Sequence, residues 1–194
     1  VAFFLIVSWN LGAVRADTIT DNAQKFIENL ADNSLKTLTG PGVDIDERRR
    51  RFRVLLHNNF AVKTIGRWVL GRYWRKAKPP QIEEYFTLFE DLVVKTYADR
   101  FAKLSGISLT ITKAVSKGTK DIVVYSELRN DDDIKKASIE WRLRSQNNQF
   151  RIVDVMVEGI SMGLTQRDEF ASVIKKNGLG VEGLLQELRK RKTL

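Results

Sequence analysis

The chain has 194 residues, with 33 Lys and Arg against 24 Asp and Glu, one His and no Cys, for a net charge of +9. That length suits one domain with a real core, and 43% hydrophobic with 29% charged residues exclude disordered and collagen-like chains. Without cysteine there are no disulfides, thiolate zinc sites, iron–sulfur clusters or cysteine nucleophiles, and the lone His57 offers little for a histidine metal site or a Ser-His-Asp triad.

Residues 1–14 (VAFFLIVSWNLGAV) are an apolar, almost uncharged run followed by Arg15, Ala16 and Asp17. The run resembles the apolar stretch of a secretory signal peptide, with residues 14–16 approximating a small-residue cleavage site. About 14 residues fall short of the roughly 20 that span a bilayer. The expectation is export with cleavage near Ala16, which in a Gram-negative host means the periplasm. Residues 17–194 then form a single domain.

Within residues 18–38, Ile19, Ala23, Phe26, Ile27, Leu30, Leu35 and Leu38 recur at helical spacing, and residues 40–42 (Gly-Pro-Gly) stop the helix. Residues 44–57 read as a second helix with Asp44 and Asp46 in its first turn. Residues 61–73 read as a third, carrying Ile65, Trp68, Val69 and Tyr73. Pro79-Pro80 opens the longest helix, because proline suits the first helical position. There Ile82, Tyr85, Phe86, Phe89, Leu92, Val93, Tyr97, Phe101 and Leu104 share one wide stripe that demands burial.

After Gly106 the period becomes two. Ile107, Leu109 and Ile111 alternate with polar residues, residues 122–125 are a compact strand-like run, and Ala137, Ile139, Trp141 and Leu143 alternate again, as do Val153, Val155 and Val157. Turn residues at 117–118, 130–133 and 147–148 separate these segments, which predicts an antiparallel meander. Thr165 with Asp168 reads as a capping box for a helix ended by Gly178, and residues 181–191 as a last helix with Leu184, Leu185 and Leu188 inward. The fold class expected is α+β, with an antiparallel twisted sheet of four strands, or five, packed against a layer of helices.

Catalytic chemistry is nearly absent from the pattern. No Walker loop or G-x-G-x-x-G occurs, His57 has no partner at a recognisable spacing, Glu83-Glu84 sits in a helix's first turn, and residues 131–133 are three aspartates in a turn. No catalytic residue and no metal ligand is assigned. The RRRRFR run at residues 48–53 suggests nucleic acid, yet four successive residues point all around a helix, so a solvated face with Phe52, Leu55 and Leu56 inward is the plainer reading. A basic nucleic-acid-binding module and an enzyme using Glu83, Glu84 or residues 131–133 are the alternatives to a binding protein.

VLGRYW at residues 69–74, PQIEEYFTLF at 80–89, IVDVMVEGISM at 152–162 and TQRDEF at 165–170 resemble, in order and spacing, the MlaC or toluene-tolerance family of periplasmic phospholipid-binding proteins. The resemblance runs over roughly residues 21–191, with residues 106–149 matching only in pattern. It implies an apolar cavity between sheet and helices. It also implies a monomeric carrier that moves phospholipid between an inner-membrane ABC transporter complex and an outer-membrane lipoprotein–porin complex. Phospholipid is then cargo rather than cofactor, and nucleic acid is not a partner. Phe86, Phe89, Val93 and Tyr97 are candidates for one wall, and Ile65, Val69 and Tyr73 for another. Trp141 and Val155 would contribute from the sheet, while the resemblance places Ile160, Ser161 and Met162 near the mouth. Arg67, Arg72 and Arg75 are head-group candidates, with solvated surface as the plainer role of each.

Overall fold

The structure, a computed structural model, describes residues 11–40, 42–101, 106–146 and 149–193. Four helices come first: α1 (Leu11–Leu38), α2 (Ile45–Asn59), α3 (Val62–Leu70), continued by a 3-10 turn (Gly71–Lys76), and α4 (Pro79–Phe101). A sheet follows, with β1 (Ile107–Lys117), β2 (Asp121–Asn130), β3 (Lys135–Gln146), β4 (Gln149–Val157) and the two-residue β5 (Ile160–Ser161). α5 (Met162–Asn177) and α6 (Val181–Thr193) close the chain. Strand order is β1-β2-β3-β4-β5, all neighbours antiparallel, so the expected meander forms and gains its fifth strand. Residues 1–10, Leu104 and the turn at 147–148 lie outside the described residues. The predicted leader therefore enters only through residues 11–16, which form the opening of α1.

Local chemistry explains most boundaries and corrects three. Asp44 caps α2 by accepting from the Glu47 amide at 2.8 Å, as its position suggests. α1 starts seven residues before the apolar periodicity at 18–38 begins. The third helix does not run to Tyr73 but ends at Leu70, because Gly71 takes φ +57°, and the next six residues wind as a 3-10 turn. The cap of α5 is Ser161, not Thr165: its Oγ accepts from the Leu164 amide at 3.0 Å, and the Thr165 hydroxyl merely donates back to the Ser161 carbonyl at 2.9 Å. Gly178 ends that helix in the left-handed conformation, as expected.

Two apolar cores result. The first joins Ala23, Ile27, Leu30 and Leu38 of α1 and Phe52, Leu55 and Leu56 of α2 to Ile122, Val124, Leu143 and Ile152 of the sheet. The second joins Val69 and Leu70, Tyr85, Leu88 and Phe89, Phe170 and Ile174, and Leu184, Leu185 and Leu188. Val62 and Val93 pack against both. α4 departs from its one-stripe reading: Leu88, Val94 and Ala98, off the stripe, are buried because α2 and α6 cover the other side of the helix. In the second core the buried Tyr85 hydroxyl donates to the Gly66 carbonyl at 2.9 Å, and burial pushes the phenol's pKa far up. Tyr85→Phe should destabilise by about 1–2 kcal/mol, since it leaves that carbonyl unpaired; an unchanged urea midpoint would contradict the bond.

The arginine run of α2 is consumed by the protein itself. Arg48 donates to the carbonyls of Leu38 and Val43, Arg49 pairs with Asp99 at 2.9 Å, Arg50 and Arg51 clasp Glu47, and Arg53 pairs with Glu90 and Asp91. These contacts bind α2 to α1 and α4, so the run is structural. Guanidinium hydrogen bonds hold Glu47, Glu84 (from Arg189), Asp121 (from Arg144) and Glu127 (from Arg129) below the ordinary carboxylate range. Burial raises Asp91, but Lys192 and Arg53 outweigh it and leave its pKa lowered. The unfolded chain, with ordinary values, takes up protons first as acid is added. The stabilisation is therefore complete above about pH 4–5 and is lost as pH falls through the lower folded-state values. Calorimetry should find a Tm that is flat on the neutral side and falls below about pH 4; a flat profile through that range would refute the linkage.

Candidate functional site

The inner face of the sheet is a set of cross-strand rows fixed by register. Ser116, Ile122, Leu143 and Ile152 make one row, Ala114, Val124, Trp141 and Val155 the next, and Ile111, Ser126, Ile139 and Val157 the third. Bulges at Ile111/Lys113 and Arg142/Leu143 keep the apolar residues on one face across the irregular positions. α1 covers β1 and β2, while α3 and α5 pack on β4; α4 packs closely on α6 and α2.

Burial follows that arrangement. Ile122, Val124, Leu143 and Ile152 are at most 1% exposed, whereas Trp141 and Val155 of the sheet and Val93 and Tyr97 of α4 face the same interior only partly buried. The latter four side chains mark an apolar edge of the first core that their neighbours leave partly open to water. The polar atoms of this wall are paired within it: Trp141 Nε1 donates to Ser126 Oγ at 2.9 Å, and that hydroxyl donates to the Ile139 carbonyl at 3.2 Å. What the sheet offers at this edge is therefore hydrocarbon. Burial raises the Tyr97 phenol's pKa, and the Arg100 guanidinium lies 5.2 Å over its ring.

A surface cleft of about 370 Å³ opens where α2, α3 and α4 meet, with Phe60, Ala61, Val62 and Phe86 on its apolar side and His57, Lys63, Thr64, Thr87 and Glu90 on its polar side. His57 Nε2 lies 3.0 Å from Glu90 Oε1. The Ala61 amide donates to the Ile152 carbonyl at 2.9 Å and fastens this junction to β4. A second cleft, of about 230 Å³ between α2, α4 and α6, is rimmed by Arg49, Arg53, Asp91, Lys95, Arg191 and Lys192. Of the carboxylates weighed for catalysis, Glu83 and residues 131–133 are exposed, Glu84 is held by Arg189 at 2.6 Å, and none lines either cleft.

The sequence-derived wall residues divide. Val69 and Phe89 are closed core at 1% and 3% exposure. Ile65, Tyr73 and Phe86 sit half-buried on the second core, and Val93, Tyr97, Trp141 and Val155 each pack at the edge of the first, the last two as cross-strand neighbours. Phe60, Val62, Leu109 and Ile111 share that edge and were not singled out. The alternation of Leu109 with Ile111 is the signal that carries the latter two.

Ile160, Ser161 and Met162 form a corner of the fold. Asp154, nearly buried, accepts from Ser161 Oγ at 2.7 Å and from the amides of Val155 at 3.0 Å and Gly163 at 3.2 Å. Gly163 is required there, since a Cβ would stand 2.4 Å from Trp68 Cζ3. The turn at Glu158 (φ +50°) and Gly159 (φ +76°) reverses β4 into β5, and Met162 begins α5 half-buried. The most specific stretch of sequence thus locks sheet, α5 and α3 into one corner, with Ile160 on its outside.

Among the described residues no helix is long and apolar enough to cross a membrane. The toluene tolerance protein ttg2D of Pseudomonas putida is 21% identical over 178 residues, covering 90% of this chain and 81% of that protein. A solved structure of the phospholipid-binding protein from Ralstonia solanacearum in complex with a phospholipid aligns with a TM-score of 0.74 and 26% identity. That alignment covers 88% of this chain and 97% of the other. The MlaC protein family model matches residues 21–190, spanning all four motif blocks and every element from the body of α1 into α6, and the chain belongs to the MlaC family.

Proposed function

We propose that the protein is a phospholipid carrier whose cargo's acyl chains lie between the inner face of the sheet and α4. The observation that carries the reading is the set of partly exposed apolar residues Val93, Tyr97, Trp141 and Val155, all packed against the first core and none of them closed by it. The phospholipid in the Ralstonia solanacearum protein supports it. Each exposed CH₂ costs about 0.8 kcal/mol in water, so a chain of about 15 methylenes costs roughly 12 kcal/mol and travels only inside an enclosed apolar space. Family membership supports a periplasmic location, exchange between the inner- and outer-membrane Mla complexes, and a role in outer-membrane lipid asymmetry. On this reading the leader is cleaved near Ala16, consistent with a family match that begins at residue 21, and the protein performs no catalysis.

Organic extraction and mass spectrometry of protein purified gently from its host should reveal phospholipid in proportion to protein. Finding none, together with no uptake from vesicles, would overturn the carrier reading.

A further inference from the structure

We propose that the outer face formed by α3, the 3-10 turn and the start of α5 docks on an anionic phospholipid bilayer. Residues 48–82 contain no Asp or Glu, and their cations fall into two groups. Those of α2 are taken up by carboxylates and carbonyls of the protein, as described above. Among the described residues, Arg67, Arg72, Arg75 and Lys76 have no carboxylate partner, and all four are exposed.

Three guanidiniums of this face lie on aromatic rings: Arg67 5.3 Å over Trp74, Arg72 5.1 Å over Tyr73, and Arg167 5.8 Å over Trp68. Stacking leaves the charge available while holding each guanidinium in place. At the centre of the face are exposed apolar side chains, Trp68 at 39%, Ile160 at 59% and Leu164 at 48%. They form one patch, because the indole of Trp68 lies against Gly163, between the other two.

An apolar centre with an indole, beside four exposed cations that no carboxylate pairs and with Glu158 and Asp168 as the exposed carboxylates nearest in sequence, matches the head-group region of a bilayer, where indole rings settle and each Lys or Arg is attracted to anionic lipid. An acidic protein would satisfy the cations but not the exposed Trp68, Ile160 and Leu164. The inference rests on the carrier reading in one respect: α3 packs Val62 against both cores, where Val93 also packs, while presenting Arg67 and Trp68 outward, so a docked face would set the lipid-bearing edge near the bilayer.

Flotation of the whole protein with vesicles of phosphatidylcholine alone, and of phosphatidylcholine mixed with phosphatidylglycerol, tests it. Binding to the mixed vesicles alone, weakened by salt, is the expected result. The combined substitution Arg67→Glu, Arg72→Glu, Lys76→Glu should weaken it by at least about a hundredfold. Trp68→Ser with Leu164→Ser should weaken it without altering its salt dependence, and Lys175→Glu with Lys176→Glu, at the far end of α5, should bind as the unaltered protein does. Circular dichroism melts establish that each variant is folded. Equal binding to both vesicle types, binding to neither, or full binding by the folded triple variant would overturn the proposal. So would capture on polyglutamate beads without vesicle binding, which would assign the face to an acidic protein. Unaltered protein that yields phospholipid on extraction but binds no vesicle removes docking and keeps the carrier reading; vesicle binding without extractable phospholipid or uptake does the reverse.

Discussion

Val93→Glu should empty the protein of phospholipid while leaving it folded. Val93 stands on α4 where the two cores meet, half-buried, and shares its edge with Tyr97, Trp141 and Val155. A carboxylate there faces hydrocarbon when lipid is bound and water when it is not. Facing the acyl chain without a partner costs it several kcal/mol, whereas facing water costs little. A penalty of about 3 kcal/mol already lowers lipid retention by more than about a hundredfold, and extraction with mass spectrometry reads that loss directly. Val93→Leu keeps the hydrocarbon surface and should retain cargo. If Val93→Glu unfolds, Val93 is closed core like Val69 and Phe89, and the lipid space lies elsewhere.

The second large effect is structural. Asp154→Ala should cost about 3 kcal/mol or more, because it strands the Ser161 hydroxyl and the amides of Val155 and Gly163 at a corner with little access to water. For a chain of this size that is a Tm drop of roughly 6–12 °C in calorimetry. Asp154→Asn should cost less. One of its oxygens remains to accept, while the new amide meets either a hydroxyl that can turn or a backbone N–H that cannot. A melt of the alanine variant within 1–2 °C of the unaltered protein would mean that the corner is held by Trp68 on Gly163 rather than by the carboxylate.

What the sequence makes legible is what local chemistry decides. Asp44 before Ile45, Pro79 at the head of α4, Gly178 after α5 and the alternation along β3 each announce their element from within a few residues. The α5 cap is not legible locally, because Ser161 is selected by Asp154, seven residues earlier and across a turn, a choice that Thr165 and Asp168 mimic. The back of α4 was missed because Leu88, Val94 and Ala98 are buried by α2 and α6, which no periodicity within the helix records. Within the stripe, Phe89 and Val93 are alike in sequence; only their surroundings differ, Phe89 lying inside the second core and Val93 at the partly exposed edge of both. The fate of residues 48–53 was equally hidden, since their carboxylate partners at Glu90, Asp91 and Asp99 lie a helix away.

Among the described residues only Val62 and Val93 pack against both cores. α4 nevertheless runs through both, with Tyr85, Leu88 and Phe89 buried in one and Val94 and Ala98 in the other, and the Asp154 corner ties the sheet to α5. A displacement of one interior therefore passes to the other along a continuous helix and through a nearly buried carboxylate, more than through interlocked side chains.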